Sequence, residues 1–416
     1  MATTAPFRPA TPGTAVTARP PKKRSIWWVT HSWVGLKLSL FMAWVMLTGT
    51  LAVFSVEMDW LARPALRVAP LDAPHASWGT LADAAQRAMP GGEVLGIYAP
   101  PHAWFAAEAM TKDAGDQRVR VYLNPYDGTV QGTGQWLSFQ RFFREMHRHL
   151  LLPAKWGIPL VSSLSVLILM SLVTGLVSYK KFWRGFLKRP RGGNARRLTG
   201  DLHRLGGLWS LWFVALIGLT GFWYLVESLG GDAPFDRAPK VEATARAPLS
   251  AVAIDAHADT ARRAYPSLTI RELRLPTEPD APIGFFGQAD AVLVRDRANG
   301  VWIDPADGRV VDIVRGEAMN AHQRISEMSD PLHFGTFGGM TTKLLWFVFG
   351  AILTALAVTG AMIYSMRLAT TLAPSERTQR RHGAVARLGF GMGRWAYMSV
   401  AVVLASLAMI PGWLAT

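Results

Sequence analysis

The chain has 416 residues, of which 50% are hydrophobic and 18% are charged, and its formal net charge is +15. It contains no cysteine, which excludes disulfides, iron–sulfur clusters, thiolate-ligated haem and covalently attached c-type haem. The basic residues lie beside apolar segments, so we expect the charge to reflect a membrane topology with lipid neighbours and no nucleic-acid partner.

Five apolar segments are long enough to cross a bilayer core of ~30 Å, which takes ~20 residues. The first is too long for the core of a signal peptide and predicts an uncleaved helix, in which Lys37 is expected to snorkel to the interface. The predicted segments, in chain order, are a tail at 1–25, helix 26–56, an outer domain at 57–157, helix 158–179, a basic loop at 180–204, helix 205–228, a second outer domain at 229–342, helix 343–366, a basic loop at 367–394 and helix 395–414.

The placement of Lys and Arg predicts the orientation. The tail and the two loops are rich in basic residues, whereas the two long segments are balanced or acidic. Basic segments beside membrane helices stay in the cytoplasm. We therefore expect a multi-pass protein with a cytoplasmic N-terminus and with both long domains on the outer side.

The chain repeats itself. His31 and His203 are each followed 17 residues later by a Thr-Gly pair, at 48–49 and 220–221, and further Thr-Gly pairs stand at 174–175 and 359–360. Each half also contains a similar turn, at 124–128 and 304–308. The pattern predicts an internally duplicated helix–domain–helix unit, which forms a four-helix membrane bundle with one extra C-terminal helix.

Each outer domain is expected to be α+β, with a helix packed on a small antiparallel sheet. The predicted helices are 77–89 and 249–265, and the turns contain the Pro and Gly that tight turns require. The turn at 304–308 resembles part of a calcium loop but lacks the remaining ligands. The predicted strands are 93–98, 104–108, 118–123, 129–131, 268–275, 283–287, 291–296 and 309–313.

A histidine precedes or begins each of the first four membrane helices. Given the predicted orientation, His31 and His203 lie near the cytoplasmic face, and His147 and His333 lie near the outer face. Two facing imidazoles can ligate one haem iron axially, so the pattern predicts two b-type haems. The alternative is that these histidines only cap helices at the interface. His149 is an alternative to His147, because residues two apart point in different directions on a helix.

Further residues near the predicted haems have less specific interpretations. His322 and His382 are reserve ligands. Small residues could admit a macrocycle to the backbone; these are Gly35, Gly206, Gly207, Gly335, Gly338 and Gly339. Basic residues could pair with haem propionates or anchor the interface; these are Arg144, Arg148, Lys155 and Lys343 on the outer side, and Arg204, Lys37 and Arg24 on the inner side.

Six segments in a specific order carry a family resemblance. They are 31–36, 47–51, 146–157, 173–182, 198–204 and 330–339. In these the chain resembles the PepSY-associated transmembrane family, which includes FoxB-type siderophore reductases and PiuB-like proteins of the bacterial inner membrane. The resemblance implies PepSY-like periplasmic domains, two b haems in the bundle, and electron transfer from the cytoplasmic side to a periplasmic ferric chelate. The chain departs from many relatives at Tyr179, where they have a histidine, and in its fifth helix.

Two functions fit these observations. The first is a transmembrane haem oxidoreductase that reduces a ferric siderophore or another ferric chelate and releases Fe(II) for uptake. No nicotinamide, P-loop or hydrolase motif occurs in the sequence, so the electron donor is expected to be a quinol or a cytoplasmic reductase, and no catalytic acid or base is assigned. The alternative is a non-enzymatic PepSY membrane protein that binds or regulates a periplasmic protease or another partner.

Overall fold

The computed structural model describes residues 25–243, 249–371, 389 and 391–414. Arg24, His382 and most of the predicted tail and second basic loop lie outside the described residues. The helices are α1 Ile26–Lys37, α2 Ser39–Val53, α3 Ser55–Ala62, α4 Trp78–Ala88, α5 Phe139–His149, α6 Ala154–Ser162, α7 Leu164–Ser178, α8 Ala195–Trp209, α9 Leu211–Val226, α10 Ala251–Ala264, α11 Ala321–Phe334, α12 Gly339–Thr371, α13 Arg394–Ala408 and α14 Ile410–Leu414.

Long apolar helices form a membrane bundle. Within the described residues, four helical segments are long and apolar enough to cross a membrane, and a fifth span is formed if the bent pair α1–α2 counts as one. The four are Ala154–Ser178, Leu211–Gly231, Gly339–Arg367 and Arg394–Leu414. Helices of this number, length and composition are typical of a multi-pass membrane protein.

The first predicted helix is not straight. Its two parts meet at Leu38 at an angle of 67°, because Leu38 leaves the helical conformation with φ −114° and ψ 20°. Nζ of Lys37 donates to the carbonyls of Gly391 (2.8 Å) and Met392 (3.3 Å). These hydrogen bonds attach the first helix, next to its bend, to the segment that leads into α13.

The strands of both outer segments form one antiparallel sheet in the order β4-β3-β2-β1-β5-β6-β7-β8. Separate small sheets were expected, and the difference arises where β1 pairs with β5. That pairing covers two edges that would otherwise expose unpaired N–H and C=O groups. The strands are β1 Glu93–Tyr98, β2 Ala107–Lys112, β3 Arg118–Leu123, β4 Val130–Gln135, β5 Thr269–Arg274, β6 Ile283–Gln288, β7 Gly300–Ile303 and β8 Val310–Val314.

The junction of the two halves requires glycine at position 96. A Cβ built on Gly96 would lie 2.6 Å from the carbonyl oxygen of Leu273 on β5. On one face of the sheet, α4 and α10 share a core with strand residues such as Ile97 and Phe285. The carboxylate of Asp255 on α10 accepts hydrogen bonds from Ser77 at the start of α4, and from the N–H of Gly79.

One predicted strand is wrong. Residues 291–296 form a loop, and the strand lies later, at Gly300–Ile303. Leu293 has a positive φ of 56°, which a strand does not tolerate. The loop instead carries Arg295 to a buried carboxylate of α11. The two halves otherwise share the order helix, four strands, helix.

Candidate functional site

His147 on α5 and His333 on α11, here called the sheet-side pair, face each other at the end of the bundle nearest the sheet. Their ring centroids are 6.1 Å apart and their planes are inclined by 33°. An imidazole nitrogen lies about 2 Å from a metal that it ligates, and with a ring radius of about 1 Å two rings on one metal have centroids ~6 Å apart. The spacing therefore fits two axial ligands of one haem iron.

A cavity of about 330 Å³ adjoins the sheet-side pair. Both imidazoles line it, together with Gly221 and the apolar side chains of Ile168 and Ile217. Apolar side chains and a small residue suit a macrocycle, and the two imidazoles could supply the nitrogen ligands that haem iron takes.

Hydrogen bonds fix which nitrogen of each imidazole in the sheet-side pair carries the proton. Nδ1 of His147 lies 2.9 Å from the carbonyl oxygen of Val45, which can only accept. Nδ1 of His333 lies 2.8 Å from Oγ1 of Thr220, and the same hydroxyl lies 2.8 Å from the carbonyl oxygen of Leu216, which can only accept. With the hydroxyl proton directed to that carbonyl, each Nδ1 is the donor, and each Nε2 keeps the lone pair that a metal requires.

The far pair, His31 on α1 and His203 on α8, repeats this arrangement. Nδ1 of His31 lies 3.1 Å from the carbonyl of Ser171 and 3.3 Å from Oγ1 of Thr174. Nδ1 of His203 lies 2.8 Å from Oγ1 of Thr359, which donates its own proton to a carbonyl one turn earlier.

The contacts of α7 give the separation of the two pairs along the bundle. On α7, Ser165 lies against Gly221 beside the His333 partner Thr220, and Thr174, the partner of His31, stands nine residues later. Nine residues span about 14 Å along a helix that rises 1.5 Å per residue. The two pairs therefore lie at different depths of the bundle, separated by about half the thickness of a bilayer core.

Each half of the chain has two membrane helices, and a histidine precedes or begins each of them. Each histidine contacts the Thr-Gly region of the other membrane helix in the same half. His31 contacts the pair at 174–175, and His147 contacts the pair at 48–49. In the second half, His203 contacts the pair at 359–360, and His333 contacts Thr220. The repeats in the sequence predicted the histidines as ligands but did not predict their contacts with the Thr-Gly pairs. The equal number and regular spacing of the histidines and the pairs were the available signal for those contacts.

Three of the four glycines of the Thr-Gly pairs lie against an imidazole. A Cβ on Gly49 would lie 2.6 Å from Cε1 of His147. A Cβ on Gly175 would lie 3.3 Å from Cε1 of His31, and one on Gly360 would lie 3.4 Å from Cε1 of His203. The glycines expected from sequence differ in role. Gly335 has φ 68° and ends α11, whereas Gly35 and Gly207 have open space around a Cβ.

His149 does not join the sheet-side pair. Its Nε2 is bonded to the carboxylate of Glu145 one turn earlier, and it does not line the cavity. His322 lies elsewhere too, with Nε2 at 3.1 Å from the carbonyl of Gly231. Within the described residues, no cluster of three or more His, Asp or Glu side chains is placed to hold a metal ion, so any metal at these histidines depends on further ligands such as those of a porphyrin.

The basic residues expected near the pairs have different partners. Lys343 is bonded to Glu57, Lys155 lies over Trp156, and Arg204 lies 3.8 Å from Asp201. Only Arg144 and Arg148 of the predicted basic set line the sheet-side cavity.

An ionic network that sequence analysis missed fastens the sheet to α11. The carboxylate of Glu327, which is fully buried, accepts hydrogen bonds from Arg295 (2.8 and 2.9 Å) and Arg297 (3.0 Å) of the loop before β7. Arg295 also donates to Asp330 at 2.8 Å, and Asp330 accepts from Tyr224 at 2.7 Å. The ring of Tyr224 packs edge-on against His333, so the network reaches the sheet-side pair.

At the far pair, Asp201 lies two residues before His203 on α8. Its carboxylate accepts from the backbone N–H and the guanidinium of Arg191, at 3.0 and 2.9 Å. These bonds lower the pKa of Asp201 to about 2. The ion pair holds the loop before α8 against the start of that helix.

Comparison with known proteins identifies one family. The model of the PepSY-associated TM region matches residues 27–367, a range that includes all four paired histidines and both halves of the sheet. No curated protein matched the chain.

Proposed function

The chain belongs to the PepSY-associated transmembrane family, and we propose that it is a di-haem membrane oxidoreductase that reduces a ferric siderophore or another ferric chelate. The observation that carries the proposal is the shared state of the four paired histidines. Each has its Nδ1 engaged by a carbonyl or by a hydroxyl whose proton is already used, so each presents a free Nε2.

The residues of the chain hold and orient the imidazoles. A b-type haem between two histidines supplies reversible one-electron transfer. Hydrogen bonds from Nδ1 to fixed acceptors raise the basicity of a ligating imidazole and hold its orientation.

The separation of the two pairs suits transfer across a membrane. We infer that electrons enter at the far pair, from a quinol or a cytoplasmic reductase, and leave at the sheet-side pair. One electron converts Fe(III) to Fe(II) in a bound chelate, and hard oxygen ligands hold Fe(II) less tightly. A polar chelate does not enter the bilayer, so the open cavity beneath the sheet is the place for its approach.

The proposed location is the bacterial inner membrane, with the N-terminus in the cytoplasm and the sheet in the periplasm. The basic loops beside the far pair support that orientation. We interpret the shared order of elements in the two halves as internal duplication. Each haem would then bridge the two halves, since each histidine pair takes one member from each.

The test uses protein in liposomes, with its sheet facing outward. The reduced protein is mixed with a membrane-impermeant ferric siderophore, and haem reoxidation is followed by absorbance. Reoxidation from the sheet side supports the proposal. Reoxidation from the opposite side only, or with none of several ferric chelates, contradicts it and favours the function of a partner-binding membrane protein.

A further inference from the structure

Two arginines on one face of α5 flank His147 at the sheet-side cavity. Arg144 and Arg148 are four residues apart, which places their side chains next to each other on the helix, and both line the cavity. Neither forms an ion pair with any residue that the structure describes, and their side chains are largely exposed. The cavity therefore has two guanidinium groups whose charge the protein does not neutralise.

The other charged groups of the cavity have partners. Glu227 accepts from Nε1 of Trp223 at 3.0 Å and from the hydroxyl of Ser326. Asp330 accepts from Arg295 and Tyr224, and Arg295 also pairs with buried Glu327. Neither carboxylate forms an ion pair with Arg144 or Arg148, and three arginines against two carboxylates leave the net charge that lines the cavity positive.

We propose that Arg144 and Arg148 form a clamp for two carboxylates at the sheet-side cavity. A guanidinium binds a carboxylate through two parallel N–H donors, and two guanidinium groups at adjacent positions suit a ligand with two carboxylates. Two sources have this chemistry: the propionates of a haem held by the sheet-side pair, and a ferric chelate built from carboxylates. Binding of haem propionates rests on the proposed function, whereas a free polycarboxylate can bind even if no haem is present.

The experiment compares the double variant Arg144→Gln/Arg148→Gln with the control Arg141→Gln. Arg141 lies one turn earlier on the same helix, but it stacks on Trp136 at 4.6 Å and does not line the cavity. Two measurements are made on each purified full-length protein. The first is the rate at which haem is lost to an excess of a haem scavenger, and the second is the affinity for citrate by calorimetry at several salt concentrations.

If the double variant alone loses the sheet-side haem faster, by about tenfold or more, the clamp binds the propionates. A citrate affinity that falls by a similar factor and loses its salt dependence assigns it to a carboxylate chelate. The clamp is wrong if the double variant matches Arg141→Gln in both measurements. If the unaltered protein holds no haem, the proposed function fails, and the citrate measurement alone decides the clamp.

Discussion

Oγ1 of Thr220 lies 2.8 Å from Nδ1 of His333 and 2.8 Å from the carbonyl oxygen of Leu216, so the hydroxyl that donates to the carbonyl accepts from the imidazole. The threonine therefore sets the tautomer of a histidine that lies 113 residues away in the chain. Thr359 does the same for His203 in the far pair. The two threonines belong to repeated Thr-Gly pairs, so one local motif serves both histidine pairs.

Replacing Thr220 by Val should weaken the sheet-side haem selectively. The loss of an acceptor behind a metal-ligating histidine lowers metal affinity by roughly 10–100-fold. Thr359→Val should have the same effect on the far haem. Haem content and a redox titration of each purified variant measure both effects.

Thr354→Val is the matched control, because Thr354 lies on the same helix and bonds to Gly350 and Thr50 rather than to a histidine. Equal haem loss in the Thr354 and Thr359 variants would show that the threonines act through packing alone.

Alanine at one histidine should remove one haem. His147→Ala and His333→Ala should deplete the sheet-side haem, and His31→Ala and His203→Ala should deplete the far haem. His149→Ala should keep both, because Nε2 of His149 is bonded to Glu145. Absorbance and low-temperature EPR distinguish the two haems, and a folded His149→Ala protein that lacks the sheet-side haem would reverse the assignment.

Gly49→Ala should displace the imidazole of His147. The new Cβ would lie 2.6 Å from Cε1 of that ring, and overpacking of this kind costs about 1–3 kcal/mol. We expect loss of most of the sheet-side haem with the far haem retained. Gly200→Ala is the control, since a Cβ at that position has open space. Equal haem content in the two variants would mean that the ring of His147 is not held in the position described.

Glu327→Gln should destabilise the protein strongly. The substitution leaves Arg295 and Arg297 without their buried carboxylate, and breaking a buried ion pair costs about 3–5 kcal/mol. The exposed pair Arg262–Asp259 provides the control, because Asp259→Asn removes a surface ion pair worth about 0–1 kcal/mol. Thermal unfolding of the two variants measures the difference, and equal midpoints would argue against a structural role of the network.

Asp201 should make stability depend on pH in the acid range. Its pKa is about 2 in the folded protein, against a reference value of 3.8. A lowered pKa stabilises the folded state above about pH 4, and the contribution is lost as the pH falls through the folded value. Thermal unfolding between neutral pH and pH 3 should therefore show a steeper loss of stability in the unaltered protein than in Asp201→Asn. Parallel curves would contradict the ion pair with Arg191.

The sequence predicted local features better than distant contacts. Apolar length identified the membrane helices, and turn residues placed most strands close to their observed positions. The join between β1 and β5 was missed because it pairs segments about 170 residues apart, and nothing in either strand alone specifies its partner. The loop at 291–296 was predicted as a strand; it begins with a continuous apolar run at 291–294 that contains two valines, which favours a strand, yet Leu293 adopts a positive φ.

For the candidate site too, local features were predicted and contacts between distant residues were missed. His31, His147, His203 and His333 were identified from their repeated positions before membrane helices. Their acceptors were missed, because the Thr-Gly pair that serves each histidine lies on another helix. Packing of the helices against each other brings these groups together, and single-chain periodicity contains no information on that packing.

The most direct measurement is the haem content of the full-length protein, purified after expression with an adequate haem supply, by the pyridine haemochrome assay together with EPR of the oxidised form. The proposed site predicts two non-covalent b-type haems per chain, both released by acidified solvent and both low-spin, as two imidazole ligands require. A well-folded preparation with clearly less than one haem per chain, or with high-spin haem that lacks a second histidine ligand, would contradict it.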